Sequence, residues 1–110
     1  MSGPPTGTNV RLLLSGCGCA PELLRRHGAL LPLLEQAVRA SEMTPLRGVG
    51  HDFPDAGHTT CVILAESHLV VHSYPECDAA VVVELSVCDH QRDNRERALT
   101  LARRVSALFD

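Results

Sequence analysis

The sequence is poor in aromatic residues and in positive charge. It has no tryptophan, one tyrosine and two phenylalanines, so it offers no stacking surface for successive nucleic-acid bases. Lysine and arginine together number 10 against 13 aspartates and glutamates, which gives a formal net charge of -3. Both features argue against nucleic acid as a partner.

Long apolar runs and targeting signals are also missing. No stretch approaches the roughly 18 apolar residues that a membrane-spanning helix needs, so we expect no membrane partner. Residues 1–8 lack the basic-then-apolar layout of a secretion signal and are expected to be a flexible tail before a single domain at residues 9–110. The five cysteines are odd in number, which indicates free thiols and a cytoplasmic location.

Apolar periodicity predicts a mixed fold. Strands are expected over residues 9–14, 44–53, 59–65, 69–74 and 79–88, and helices near residue 21, over 29–41 and near the C-terminus. Pro45, Gly48 and Gly50 make the second strand weak and suited to an edge. Consecutive strands with short connections pair antiparallel, and the last three strands are apolar enough to pack on helices. We therefore predict an α+β two-layer sandwich: a mainly antiparallel sheet with two helices on one face.

The most informative segment is the one from Val62 to Glu76. An apolar strand is followed by Glu66-Ser67-His68-Leu69, then by His72 and by Tyr74-Pro75-Glu76. Serine is a poor nucleophile unless it is held and activated. A serine in a tight, strained turn between two strands can attack the carbonyl before it, which here belongs to Glu66.

This segment resembles the self-cleavage site of the S-adenosylmethionine decarboxylase family, of the bacterial and archaeal type. Other parts of the chain extend the resemblance. His51-Asp52-Phe53 resembles a His-x-Phe motif of the family, Val83 to Cys88 resembles the strand that ends in its catalytic cysteine, and Leu13 to Cys17 resembles its first strand and Gly-Cys turn. The resemblance covers roughly residues 9 to 108.

The resemblance implies a proenzyme that cuts its own bond between Glu66 and Ser67. Ser67 would become a pyruvoyl group, the cofactor of the family, which forms a Schiff base with a substrate amine and draws electrons during decarboxylation. The implied reaction is decarboxylation of S-adenosylmethionine, which supplies the aminopropyl donor of spermidine and so serves polyamine biosynthesis.

The resemblance also assigns catalytic roles. His72 would assist processing at the elimination step, and Thr59 stands where the family has a processing serine. Cys88 would donate the proton that replaces carbon dioxide. In the family, small protomers associate and two copies build each active site, so the resemblance implies a homodimer of cleaved chain pairs.

Substrate contacts follow from the same resemblance. Phe53 would stack on the adenine of the substrate, Glu76 would bind its ribose hydroxyls, and Leu69 belongs to the substrate-binding set. The motif around them departs from the family pattern: Tyr74 replaces a tryptophan, and Cys77-Asp78-Ala79 lacks a familiar Gly-Tyr pair. These departures leave L-ornithine or L-arginine open as alternative substrates.

A third hypothesis is a structural or regulatory homologue that never cleaves, because Thr59 and Thr60 replace the family's processing serine and the glycine after it. Taken alone, His72 would be a packed strand histidine and Cys88 a small buried apolar residue. Cys17-Gly18-Cys19 is interpreted as a turn, since its spacing is tighter than that of a zinc pair. His51 and His58 are interpreted as solvated loop histidines, and no metal is expected.

Overall fold

The computed structural model describes residues 9–89 and 92–110, so the predicted tail at residues 1–8 lies outside the described residues. Five strands form one antiparallel sheet in the order β1-β5-β4-β3-β2. The strands are β1 (Val10–Gly16), β2 (Pro45–Asp52), β3 (His58–Leu64), β4 (Ser67–Tyr74) and β5 (Ala80–Val87). The prediction that the proline- and glycine-containing segment is an edge strand is confirmed, because β2 lies at one end of the sheet.

Three helices complete the fold: α1 (Glu22–Arg25), α2 (His27–Ala40) and α3 (Arg95–Leu108). Helix α2 packs on β2 and β3, α3 packs on β1 and β5, and the two long helices contact each other. The predicted two-layer α+β sandwich is confirmed. The predicted helix over 29–41 begins earlier, at His27, since Arg26 is extended and separates it from the four-residue α1.

The hydrophobic core lies between the helices and one face of the sheet. Alternate residues of the central strands point into it: Val62 and Leu64 of β3, Leu69 and Val71 of β4, and Val81, Val83, Leu85 and Val87 of β5. The residues between them point to the opposite face, which no element of the described ranges covers. We call this opposite surface the open face. The same ranges contain no helix long and apolar enough to cross a membrane.

Two glycines explain how a weak strand packs closely on a helix. A Cβ atom added to Gly50 would lie 2.3 Å from the ring of His27, and one added to Gly48 would lie 2.6 Å from Leu31. Both glycines therefore let α2 approach the backbone of β2. The same approach brings the side chain of Asp52 to the first residue of α2.

Asp52 is predicted to stabilise the fold at neutral pH and to lose this effect as the pH becomes acidic. Its Oδ1 accepts the backbone N–H of His27 at 2.7 Å and lies 2.9 Å from His27 Nδ1, and these hydrogen bonds lower the pKa of the Asp52 carboxyl. A lowered native pKa contributes stability above the unfolded value of about 3.9, and the contribution is lost as pH falls through the native pKa. The urea midpoint of wild type should exceed that of Asp52→Asn at pH 6, and the difference should shrink towards pH 3. An equal difference at both pH values would contradict this prediction.

A buried hydrogen-bond network joins the sheet to α1. His58, only 1% exposed, has Nε2 at 2.8 Å from the Leu23 carbonyl oxygen and Nδ1 at 2.8 Å from Thr60 Oγ1. Ser73 Oγ accepts the His58 N–H at 2.8 Å and donates to the Leu24 carbonyl oxygen at 2.7 Å. The interpretation of His58 as a solvated loop histidine was therefore wrong: it begins β3 and points into the core.

Gly57 precedes this network and has no room for a side chain. A Cβ atom there would lie 2.2 Å from the Ser73 carbonyl oxygen, a backbone atom that cannot rotate away. We expect Gly57→Ala to lower the free energy of unfolding by about 3 kcal/mol, the upper part of the overpacking range. Gly28→Ala is the matched control, because nothing lies within 4 Å of its added Cβ. In a helix this second change should be neutral or stabilising, and urea unfolding of both variants checks the difference.

Candidate active site

The turn between β3 and β4 holds the candidate nucleophile under strain. β3 ends at Leu64 and β4 begins at Ser67, so Ala65 and Glu66 form the whole connection. Ser67 has a φ of 145°, which few residues other than glycine adopt. Such strain costs on the order of 1–3 kcal/mol and is retained mainly at functional sites. Cleavage of the bond between Glu66 and Ser67 would relieve it.

The carbonyl of that bond is already hydrogen-bonded. The Glu66 carbonyl oxygen accepts the backbone N–H of Cys88 at 2.8 Å. When a nucleophile attacks the carbonyl carbon, negative charge develops on this oxygen, and a donor held in place stabilises that charge. Cys88, which the sequence singled out, thus lies beside the predicted cleavage bond, just beyond the end of β5.

The side chain of Glu66 anchors the turn. It is only 5% exposed, and its Oε1 accepts the Thr44 N–H at 3.2 Å. The Ala65 N–H donates to the Thr44 carbonyl oxygen at 3.0 Å, so two contacts join the turn to the segment before β2. Sequence reasoning did not find this anchor, because Thr44 and Glu66 are 22 positions apart and only the β2–β3 pairing brings them together.

One histidine ring lies close to the Ser67 hydroxyl. His68 Nδ1 is 3.4 Å from Ser67 Oγ, at the outer limit of a hydrogen bond, and the His68 ring is exposed on the open face. No role was predicted for His68.

A second polar cluster surrounds His72 on the open face. Its Nδ1 lies 3.1 Å from Thr59 Oγ1, and its Nε2 lies 3.8 Å from Glu84 Oε2. The hydroxyl and the carboxylate therefore flank the imidazole on its two nitrogens. The pair of His72 and Thr59 was predicted from sequence, whereas Glu84 was missed. The feature of the sequence that could have indicated Glu84 is its place as the one acidic residue in the mostly apolar strand β5.

The group around Ser67 and the cluster around His72 are separated within one chain. Ser67 and His72 lie on the same strand, not on successive strands, and five residues of β-strand span roughly 17 Å. Cys88 is also distant from His72 within a single chain. His72 pairs with Val82, six positions before Cys88, whereas Ser67 pairs with Val87. One chain thus places Cys88, but not His72, next to the cleavage bond.

The open face between the clusters is largely apolar. Its central row runs across all five strands through Leu13, Glu84, Val70, Cys61 and Val49. Leu13 is 71% exposed, and Val49 and the neighbouring Ile63 are also exposed. Partial burial raises the pKa of the Cys61 thiol, which favours its neutral form at the centre of this face.

The predicted substrate contacts lie at the His72 end, with one exception. Phe53 follows β2, is 46% exposed and packs edge-on against His51 with ring centroids 4.8 Å apart. Glu76 is exposed in the turn after β4. Leu69, in contrast, is fully buried on the helix side of the sheet. Its side chain cannot face the open surface, so only its backbone is available for a substrate contact.

The other cysteine and histidine candidates do not form a metal site. Across residues 9–89 and 92–110, no group of three or more histidine, cysteine, aspartate or glutamate side chains could hold a metal ion. The Cys17-Gly18-Cys19 segment is a bend, as predicted. Gly18 has a φ of 64°, which suits glycine, and its N–H donates to the Asp78 carbonyl oxygen at 2.7 Å.

Comparison with known proteins points to one family. The family model described as S-adenosylmethionine decarboxylase matches residues 10–107. An S-adenosylmethionine decarboxylase proenzyme of Hydrogenobaculum sp. is 37% identical over 65 residues, which cover 59% of this chain and 48% of that protein. A proenzyme of the same name from Pyrobaculum islandicum is 34% identical over 74 residues, covering 66% of this chain and 59% of that protein.

Two further facts qualify these likenesses. The chain spans about half the length of the curated relatives that it matches. Among solved structures, the adenosylmethionine decarboxylase of Aquifex aeolicus superposes with a TM-score of 0.81 at 22% identity, covering 96% of this chain and 82% of that chain. At this identity the superposition shows a shared fold.

Proposed function

Because the chain belongs to the S-adenosylmethionine decarboxylase family, we propose that it is a self-cleaving, pyruvoyl-dependent S-adenosylmethionine decarboxylase. One observation carries the proposal. The residue at the expected cleavage point, Ser67, is strained at a φ of 145°, and the carbonyl before it already accepts the Cys88 N–H at 2.8 Å. Strain raises the energy of the uncut chain, and the donor lowers the energy of the oxyanion, so both favour attack.

Cleavage would proceed in two stages. Ser67 Oγ attacks the carbonyl carbon of Glu66, the C–N bond breaks, and the Ser67 nitrogen takes up the hydroxyl proton, which leaves an ester. A base then removes the Ser67 Cα proton, the Cβ–O bond breaks, and Glu66 leaves as a carboxylate. The remaining dehydroalanine takes up water and loses ammonia, which gives a pyruvoyl group at position 67.

The surroundings of Ser67 fit that group. Ser67 is only partly buried, and its Oγ lies 3.4 Å from the ring of the exposed His68, so a substrate amine could approach position 67 from that side. When formed, the pyruvoyl group supplies the electron sink for decarboxylation. Cys88 would serve this reaction as the residue that returns a proton to the substrate carbon. Its backbone contact with Glu66 keeps it beside position 67.

The site would be completed by a second copy of the chain. His72 and Thr59 lie roughly 17 Å along the strand from Ser67, too far to serve it in the same chain. The middle of the open face, where Leu13, Val70, Cys61 and Val49 lie, is suited to bury apolar surface against an identical face. A two-fold axis near the middle of β4 would bring His72 of one protomer to Ser67 of the other. We therefore include a homodimer with two shared sites in the proposal.

The substrate would then lie between the Ser67 end of one protomer and the His72 end of the other. Ser67 and Cys88 come from one protomer, and Phe53 and Glu76 from the end that carries His72 in the other. Phe53 is exposed and free to stack on an adenine, while the Glu76 carboxylate can accept hydrogen bonds from ribose hydroxyls. This pairing of an aromatic ring with a carboxylate favours a nucleoside-bearing substrate.

Denaturing intact-mass spectrometry of the purified wild-type protein tests the proposal. We expect two species, residues 1–66 and 67–110, the second lighter than its serine form by one ammonia. A single uncut chain would instead support the non-cleaving homologue. Carbon dioxide release should then be assayed with S-adenosylmethionine, L-ornithine and L-arginine in parallel, and release from either amino acid but not from S-adenosylmethionine would overturn the substrate assignment.

A further inference from the structure

Asn94 is a fully buried amide close to the candidate site. It is 0% exposed, although asparagine is usually a surface residue. Its Nδ2 donates to the Cys88 carbonyl oxygen at 3.0 Å, its N–H donates to Asp89 Oδ1 at 3.2 Å, and its carbonyl oxygen accepts the Ala98 N–H at 2.9 Å. It thereby joins the start of α3 to the residue that touches the cleavage bond.

Helix capping does not account for this side chain. Asparagine is favoured directly before a helix because its side-chain oxygen can accept an N–H of the first turn. Asn94 precedes α3, yet its side chain makes no such capping bond. Its Oδ1 is buried and has no hydrogen-bond partner among the described residues. A buried polar group that is left partly unsatisfied calls for a reason beyond local structure.

The reason lies in how Cys88 is held. The pairing of β5 with β1 and with β4 ends at Val87, so the sheet ladder does not fix the residue after it. Cys88 is instead fixed from both sides of its backbone. Its N–H binds the Glu66 carbonyl oxygen at 2.8 Å, and its own carbonyl is bound by Asn94.

We propose that Asn94 is a positioning residue for self-cleavage, which holds the Cys88 backbone so that its N–H points at the Glu66 carbonyl oxygen. The inference rests on the proposed function and extends it to a residue with no contact to Ser67. A donor stabilises an oxyanion only when it is already in place, and a misplacement of about 1 Å can cost a hundredfold in rate. Loss of the Asn94 contact removes the donor that holds the Cys88 carbonyl, so the Cys88 N–H would be less firmly aimed at the Glu66 carbonyl oxygen.

The experiment compares self-cleavage of wild type, Asn94→Ala and Asn94→Ser in chains newly made by cell-free synthesis, followed from the uncut state. We expect Asn94→Ala to cut at least about tenfold more slowly, and Asn94→Ser, whose hydroxyl can still donate, to recover part of the rate. Val105→Ala is the control for stability, since Val105 is buried in α3 at a position 11 residues beyond Asn94. It should cut within about twofold of wild type even where its melting temperature falls as far as that of Asn94→Ala.

A second readout separates positioning from general destabilisation. Hydroxylamine cuts the ester that follows attack by Ser67, so its effect reports the first stage alone. In Asn94→Ala the hydroxylamine-dependent cut should slow as well, because the oxyanion forms in that stage. Asn94 variants that fold and cut like Val105→Ala, with or without hydroxylamine, would overturn the inference. A wild-type chain that never cuts would instead overturn the proposed function.

Discussion

Ser67→Ala is expected to abolish self-cleavage completely. The variant keeps the backbone turn and the hydrogen bond between the Cys88 N–H and the Glu66 carbonyl, but it lacks the only atom that can form the ester. No general acid or base elsewhere in the site can replace a missing nucleophile. Intact-mass spectrometry should therefore show a single species of residues 1–110, and carbon dioxide release from S-adenosylmethionine should fall below detection.

The matched control is Ser106→Ala. Ser106 is an exposed serine of α3, remote from the β3–β4 turn, and alanine suits its helical position. This variant should cut at the wild-type rate. Cleavage of Ser67→Ala at the same bond would exclude an ester intermediate and remove the basis for a pyruvoyl group at position 67.

Local sequence patterns predicted the sheet and the strained turn well, because both depend on contiguous residues. The apolar runs before and after Glu66-Ser67 require a very short connection, and a short connection between paired strands leaves Ser67 little conformational freedom. The alternation of buried and open positions in β3–β5 follows from the same runs. The fold and the short connection before Ser67 were therefore accessible from sequence.

The contacts that complete the site were not accessible in this way. Asn94 reads as the end of a polar loop, and only the packing of α3 against the sheet turns its amide towards Cys88. From the sequence, Glu66 was recognised only as half of the predicted cleavage motif. In the structure its carboxylate also accepts the Thr44 N–H. His58 was interpreted as a loop residue, but its ring is buried and hydrogen-bonded to the Leu23 carbonyl oxygen of α1. The partners of Glu66 and His58 are 22 and 35 positions away, and that of Asn94 lies across a loop, so periodicity encodes none of these contacts.

The position of His72 relative to Ser67 was hard to predict from sequence for a different reason. The sequence placed Ser67 in the turn before the strand that holds His72, and the structure puts both residues on that strand, roughly 17 Å apart. If both act on the same bond, they must come from different protomers. The open face, with exposed Leu13, Val49 and Ile63, offers the surface through which two protomers could associate.

A site shared between two protomers predicts a result that a site within one chain would not give. His72→Ala alone should cut at least about a hundredfold more slowly, since it removes the group expected to move a proton in the elimination stage. Ser67→Ala alone should not cut. Co-expressed with distinct tags, the two variants should form mixed dimers in which the intact Ser67 of one chain meets the intact His72 of the other. The His72→Ala chain should then be cut, up to about half of it when chains pair at random, while the Ser67→Ala chain stays whole.

The matched control replaces the helper chain by the double variant Ser67→Ala/His72→Ala, which associates through the same face but brings no imidazole. It should leave the His72→Ala chain uncut, so that rescue is tied to the histidine and not to pairing itself. If the His72→Ala chain stays uncut with both helpers although mixed dimers are recovered, His72 acts within its own chain. β4 would then have to rearrange to bring His72 to Ser67, which lies five residues away on the same strand. The shared site would be refuted.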